Sequence, residues 1–242
     1  MKKQTLNKAL SITFGVALLF FMLTVSIALP IYSRWFYYLH VDALNLSSLG
    51  WTRAEIIGAF REVMNYLTMP GFEFGTGVLA HSADGAAHFA DVKGLFNLNI
   101  IVLIISGAIL LTLLILKKKK IWQFCYIKGF SPAFFSAIGA LILPLVLGGM
   151  VAADPDGAFV VFHHIFFPGK TNWVFNPADD QIIQILPQEY FINCAAFIAV
   201  GLIVFTLTII IVEIVSRKKR LSKILSTSSS NLADQVDNKH EK

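Results

Sequence analysis

Five of the six histidines, His40, His81, His88, His163 and His164, fall in two long segments between apolar stretches, while His240 sits in a polar tail. Imidazole is the only side chain whose unperturbed pKa lies near physiological pH. Its restriction to one side of a membrane therefore points to proton transfer or to a metal site there. Two short runs concentrate that chemistry: Ala87-His88-Phe89-Ala90-Asp91-Val92-Lys93 and Val161-Phe162-His163-His164-Ile165-Phe166-Phe167. On a helix beginning near Ala86, His88 and Asp91 are three apart and share a face, so Asp91 can orient the imidazole and favour its charged form. At 1.5 Å per residue, His88 then stands roughly 10–15 Å above the hydrocarbon boundary, near the depth of lipid esters. A first-turn acid is equally explained as a dipole partner, and spacing alone leaves both readings open. His163 and His164 point about 100° apart on a helix and are not expected to serve one site together. His40 and His81 have no partner spacing and read as solvated loop residues.

The elements that position these groups follow from composition. Mean hydropathy is +0.67 and only 14% of residues are charged, too apolar for an ordinary soluble domain. Four apolar runs, about Ala9–Leu29, Leu98–Leu116, Pro132–Val151 and Phe191–Val215, each match the ~20 residues that a helix needs to cross ~30 Å of hydrocarbon. Backbone groups in lipid must bond internally, and the alternation of a membrane β-barrel is absent, so the spans should be helices. We therefore expect an all-α membrane protein: four transmembrane helices with an extracytoplasmic cap built from the two long outer loops.

Basic residues set the expected orientation. Lys2, Lys3 and Lys8 precede span one, and Lys117, Lys118, Lys119, Lys120 and Lys128 lie between spans two and three. Arg217, Lys218, Lys219, Arg220, Lys223, Lys239 and Lys242 follow span four. Only Arg34, Arg53, Arg61, Lys93 and Lys170 fall on the other side. The first side is then cytoplasmic, both termini lie inside, and both histidine-bearing loops face outward. The net charge of +5 reflects topology and anionic lipid headgroups rather than nucleic acid. Span one exceeds the usual 7–15-residue core of a signal peptide and is expected to be a retained helix.

The four-helix transmembrane domain is expected over residues 1–225, with outer loops 30–97 and 152–190 and a disordered cytoplasmic tail over 226–242. The first loop is too long to be only a connector. Thr52-Arg53-Ala54-Glu55 fits a capping box. The helical spacing of Ile56, Phe60, Val63, Met64 and Leu67 predicts an amphipathic helix over Thr52–Leu67, on the membrane or under the cap. In the second loop, Asp154-Pro155 reads as a helix start. The apolar Ala158–Phe167 is too short to span and should be interfacial or re-entrant. Asn176-Pro177 opens another short helix, reaching Leu186-Pro187. Cys125 and Cys194 give neither a disulfide framework nor a metal motif. Glu213, the only formal charge near a span end, is expected to snorkel to the cytoplasmic surface.

Several chemistries are excluded. The chain has no HExxH, no G-x-S-x-G elbow and no Walker loop. Lack of intramembrane ionisable residues disfavours a proton-driven transporter.

The order of features resembles the lipoprotein intramolecular transacylase family, bacterial integral membrane enzymes, over nearly the whole chain up to span four. His88-Phe89-Ala90-Asp91-Val92-Lys93 is similar to a family pattern of His-x-x-Asp-Val-Lys. Phe162-His163-His164-Ile165-Phe166-Phe167, Trp173-x-Phe175 and the Ile-rich Asp179–Pro187 also fit. The second family histidine follows an aromatic and precedes a polar residue and Ile-Phe-Phe. That maps it onto His163 and leaves His164 as a rival.

The resemblance implies transfer of the sn-2 acyl chain of a diacylglyceryl-cysteine lipoprotein to the cysteine α-amino group, giving N-acyl-S-monoacylglyceryl lipoprotein. His88 would then be the principal base and acid, Asp91 its orienter and His163 the second catalytic group. Arg61, Asn65, Tyr66 and Trp173 would line the substrate site. No cofactor or metal is required; the partners are diacylglyceryl-modified lipoproteins and membrane phospholipid. Another membrane lipid-modifying acyltransferase, or a non-catalytic subunit whose histidines bind metal or a partner, remain the alternatives.

Overall fold

The computed structural model describes the backbone of residues 2–240 and the side chains of 3–223 and 225–227. Its long helices are α1 (Lys2–Tyr32), α4 (Ala83–Lys118), α5 (Pro132–Ala153) and α8 (Gln188–His240). Each is long and apolar enough to cross a membrane. α1 touches α4, α5 and α8, and α5 also packs on α8.

Lipid removes the hydrophobic drive between helices, so small residues and polar contacts must join them. Ser136 Oγ donates to the Gly15 carbonyl at 2.7 Å, and Asn99 Nδ2 donates to the Thr24 carbonyl at 3.2 Å. A Cβ on Gly201 would sit 2.8 Å from Leu29 Cδ1, so this glycine lets α8 approach α1 closely.

Two long connections pack together at the end of the bundle where α1 finishes and α4 begins. The first holds α2 (Arg34–Ala43), a 3-10 turn at Leu46–Leu49 and α3 (Arg53–Thr68). The capping box is present: Thr52 Oγ1 accepts from the Glu55 backbone N–H, and Glu55 accepts from the Thr52 backbone at 2.8 Å. The predicted face of α3 is buried through Ile56, Phe60, Val63, Met64 and Leu67. It packs into a core with Tyr37, Val41, Phe89, Ile182, Ile185 and Tyr190. Phe60 stacks on Tyr37 with ring centroids 3.7 Å apart. The apolar face of this helix is covered by α2 and by residues of the second connection.

The second connection carries α6 (Pro155–Phe166) and α7 (Ile182–Ile185). Asp154 caps α6 by accepting from the Gly157 backbone at 2.9 Å, with Pro155 in the first turn. The helix expected from Asn176 shrinks to the four residues of α7. Asn176 instead spends its side chain on Asp179 at 2.7 Å and closes a turn through its own carbonyl.

Two expectations change. Glu213 does not snorkel outward but is buried. It accepts from Ser131 N at 3.1 Å and Ser131 Oγ at 2.6 Å and pairs with Arg220 at 2.8 Å. It thereby holds the start of α5 against α8, because a buried carboxylate needs donors more than it needs water. His40 is not a solvated loop residue. It lies on α2, bonded to the Phe36 carbonyl at 2.7 Å and to Asn193 at 3.0 Å, with its ring between Phe36 and Tyr190. The last helix, α8, has its described bounds at Gln188 and His240. No Gly or Pro follows Gly201 to stop the helix. Glu241 and Lys242 lie outside the described residues, as do the side chains of Lys2, Lys239 and His240.

Candidate active site

The site forms where the first turns of α4 meet α6 and the loop that follows it. α4 starts earlier than expected, at Ala83, because Ser82 caps it by accepting from Gly85 N at 2.9 Å. Asp180, from the other connection, secures Ser82. Its buried carboxylate accepts from Ser82 N and Ser82 Oγ, each at 2.8 Å. Gln181 extends the junction by accepting from Ala80 N at 2.8 Å and donating its own N–H to the Ala80 carbonyl at 3.0 Å.

A Cβ on Gly85 would overlap Asp180 Oδ1, so there is no room for one. Gly85→Ala is expected to push the carboxylate off Ser82 and cost about 1–3 kcal/mol through unmet polar groups. A drop in thermal unfolding temperature checks this; an unchanged temperature would show that Asp180 is not the staple.

The bonds of Ser82 with Asp180 fix where His88 points. His88 is 6% exposed, with its ring 5.7 Å from His163, 4.9 Å from Phe167 and 5.4 Å from Phe175. His88 Nδ1 is buried with no hydrogen-bond partner among the described residues.

His163 is also 6% exposed. Its Nδ1 lies 2.8 Å from the Phe159 carbonyl, and a carbonyl only accepts. That bond places the proton on Nδ1 and leaves the lone pair on Nε2 when the ring is neutral. The ring stacks on Trp173 at 4.5 Å. Burial pushes the His163 pKa below the ordinary imidazole value; the Phe159 bond opposes this and the charge of His164 adds to it.

His164 points elsewhere. It is exposed, and its ring meets Trp173 in a T-shaped contact at 5.9 Å. The geometry brings His163, not His164, to His88. His81 is exposed and lies 3.0 Å from Thr76, outside this pair, as the sequence reading expected.

Asp91 does not bond to the His88 ring as expected. One carboxylate oxygen pairs with Lys170 and the other accepts from Asn172 Nδ2 at 3.2 Å. Nor is it a first-turn acid, since Ala83 and not Ala86 opens the helix. Asp91 therefore ties α4 to the loop that carries Trp173, and Trp173 Nε1 caps that loop on the Lys170 carbonyl at 2.9 Å. Asn172 is a residue that sequence reasoning missed. Its amide orientation is set by the acid, which leaves Oδ1 buried and unpartnered among the described residues.

Trp173 thus joins the histidine pair. Tyr66 stands on α3 with Lys93 Nζ 4.0 Å from its ring centroid, linking α3 to α4. Asn65 is half-buried and Arg61 exposed on the same helix. None of these three makes a ring contact with His88 or His163. Beside the pair, a cavity of about 300 Å³ opens between Phe159, Trp173, Phe175, Ile183, Leu186 and Phe191. Among the described residues, no group of three or more His, Cys, Asp and Glu is placed to hold a metal.

The sequence profile of the lipoprotein intramolecular transacylase Lit family matches residues 12–191, which include every residue of the site. The chain belongs to that family. It is accordingly a multi-pass membrane enzyme, a transacylase. The transacylase's fold is similar to the in meso structure of the membrane integral lipoprotein intramolecular transacylase Lit from Bacillus cereus. The match has TM-score 0.79 and 24% identity, covering 90% of this chain and 99% of that one. Structures of the Bacillus cereus protein with one histidine changed to arginine or to alanine match at TM-score 0.73 and 24% identity. They cover 90% of this chain and 96% and 97% of theirs. None of the curated proteins matches the transacylase.

Proposed function

We propose that this transacylase moves the sn-2 acyl chain of a diacylglyceryl-cysteine lipoprotein onto the α-amino group of that cysteine. The observation that carries the reading is the pair of buried imidazoles, 5.7 Å apart, beside an apolar cavity. The transfer needs a base for the attacking amine, an acid for the departing glycerol oxygen and space for acyl chain. The amine nitrogen bonds to the ester carbonyl carbon, the carbon–oxygen bond to glycerol breaks, and the proton lost by nitrogen ends on the glycerol hydroxyl. An imidazole that accepts and then returns that proton closes the balance with no further reactant.

His88 is assigned the proton transfer, with His163 as its partner through Nε2. Two like charges at this separation oppose each other, so the pair is suited to holding one proton at a time. Asp91 is assigned to holding the Lys170–Trp173 loop rather than to steering His88. The basic-residue asymmetry supports cytoplasmic termini and an outward-facing site.

An amine offers two N–H groups, and the site offers two unpartnered buried acceptors, His88 Nδ1 and Asn172 Oδ1. We assign Asn172 Oδ1 to the hydrogen that stays on nitrogen. Asn172→Ala is expected to slow transfer roughly 10-fold or more, the effect of one hydrogen bond worth about 1.5 kcal/mol. Asn172→Asp is expected to be worse, because it sets a second carboxylate against Asp91. Rates of the purified variants check this; an Asn172→Ala enzyme at wild-type rate would remove the residue from the site.

The pH profile carries a separate prediction. Protonation at Nε2 removes the lone pair of His163, so activity is lost as pH falls through its pKa. Burial lowers that pKa, so the loss begins below the ordinary imidazole value of about 6.5. The substrate amine, with a pKa of about 8, loses its neutral form first. The logarithm of kcat/KM should therefore fall with a slope of one between about pH 8 and 6.5 and steepen only below that. Steepening at or above 6.5 would contradict a buried neutral His163.

The functional test is expression in cells whose lipoproteins carry a free N-terminal cysteine, followed by mass spectrometry of a lipoprotein N-terminus. An amide-linked chain with one ester lost from glycerol supports the reading. An unchanged lipoprotein, with folded enzyme in the membrane, overturns it.

A further inference from the structure

The lysine-rich end of the bundle, opposite the histidine site, is a built surface rather than a frayed loop. After α4 the chain turns back through Lys120, which takes a positive φ of 60°, and Ile121 N–H returns to the Leu116 carbonyl at 3.1 Å. Trp122 is fully buried, with its indole N–H on the Leu113 carbonyl at 2.9 Å. The next residues are pinned across α1: Gln123 N donates to Asn7 Oδ1 at 3.2 Å, and Cys125 N donates to Ser11 Oγ at 2.9 Å.

Trp122, Phe124 and Tyr126 alternate along this extended stretch and so present one face. Two of the rings hold cations: Lys117 Nζ lies 4.4 Å from the Phe124 centroid, and the Arg220 guanidinium lies 4.4 Å from that of Tyr126. Between Lys117, Lys120, Gln123 and the three rings lies a cavity of about 270 Å³.

The charge in this cavity is unbalanced among the described residues. Among the described residues Glu213 is the acid at this end, and it is spent on Ser131 and Arg220. Lys117 and Lys120 have no carboxylate partner among the described residues. The negative end of the α4 dipole offsets part of their charge but reaches only about the last turn. Exposed Ile121, Tyr126 and Ile127 flank the same loop, apolar surface that belongs in lipid rather than in water.

We propose that this pocket binds the phosphodiester of an anionic phospholipid headgroup. Lys117 and Lys120 would neutralise the phosphate oxygens, Gln123 would donate to the glycerol side, and the acyl chains would lie against Ile121 and Ile127. The flanking apolar surface favours a lipid over a free phosphate ion, which would need none of it.

Native mass spectrometry and lipid titration of the full-length protein separate the possibilities. Phosphatidylglycerol is expected to stay bound where phosphatidylcholine does not, and millimolar inorganic phosphate is expected not to displace it. The K117Q/K120Q double variant should weaken phosphatidylglycerol binding about tenfold or more. K118Q/K119Q removes the same charge from the same end but leaves the pocket lining intact, and should change binding less than twofold. Equal losses in the two double variants would reduce the effect to diffuse surface charge and overturn the site. Displacement by inorganic phosphate would overturn the lipid as its ligand. Retained acyl transfer in each variant, read at the other end of the bundle, shows that it has folded; should K117Q/K120Q misfold, K117Q alone carries the same comparison against K118Q.

Discussion

Replacing His88 by alanine is expected to lower the rate of acyl transfer by about 10²–10⁴-fold, the usual worth of a positioned acid–base group. The size of the effect follows from the lack of a substitute. His163 is the other imidazole within ring contact of His88, and its Nδ1 is committed to the Phe159 carbonyl. His88 is also packed against Phe167 and Phe175, so truncation leaves a void that could lower stability as well as rate. His88→Asn keeps more of the volume and a hydrogen-bonding group while removing the titratable nitrogen. Both variants should lose activity alike, and only the alanine should lose much stability. An asparagine variant within a few-fold of wild type would show that packing, not proton transfer, is the role of His88.

The histidine pair on α6 gives the second large effect. His163→Ala is expected to cost a comparable factor, whereas His164→Ala should remain within about twofold. His163 is buried, stacked on Trp173 and set against His88. His164 is exposed and meets the tryptophan in a T-shaped contact. The two substitutions remove the same chemical group from adjacent positions, so their difference isolates placement. Equal effects, or the reverse order, would contradict the site as described.

The sequence carried the four spans because lipid leaves a chain few options, and composition reports that directly. Local signals were equally legible: the Thr52–Glu55 capping box, the Asp154-Pro155 helix start and the buried stripe of α3 all appear at the residues expected. What sequence could not show is pairing across distance. Asp91 looks like a partner of His88 at i, i+3, yet Lys170 and Asn172 claim both of its oxygens from about 80 residues away. Asn172 carried no signal at all, since nothing local marks an asparagine whose amide will be oriented by a remote acid. The choice between His163 and His164 likewise needed the helix rotation, which adjacent residues leave undefined. Glu213 was misplaced for the same reason. A lone acid near a span end suggests snorkelling until Ser131 and Arg220 are found beside it.

The central claim is that an acyl group leaves the sn-2 oxygen and arrives on nitrogen within one substrate molecule at the His88–His163 pair. A synthetic diacylglyceryl-cysteine peptide with an isotopically labelled sn-2 chain, reconstituted with the purified enzyme in vesicles, tests this most directly. The predicted result is a product in which the label is amide-linked to the cysteine nitrogen and the sn-1 ester is untouched, formed about 10²–10⁴-fold more slowly by His88→Asn enzyme. Label retained on glycerol, or an amide-linked chain drawn from unlabelled vesicle lipid, would contradict it.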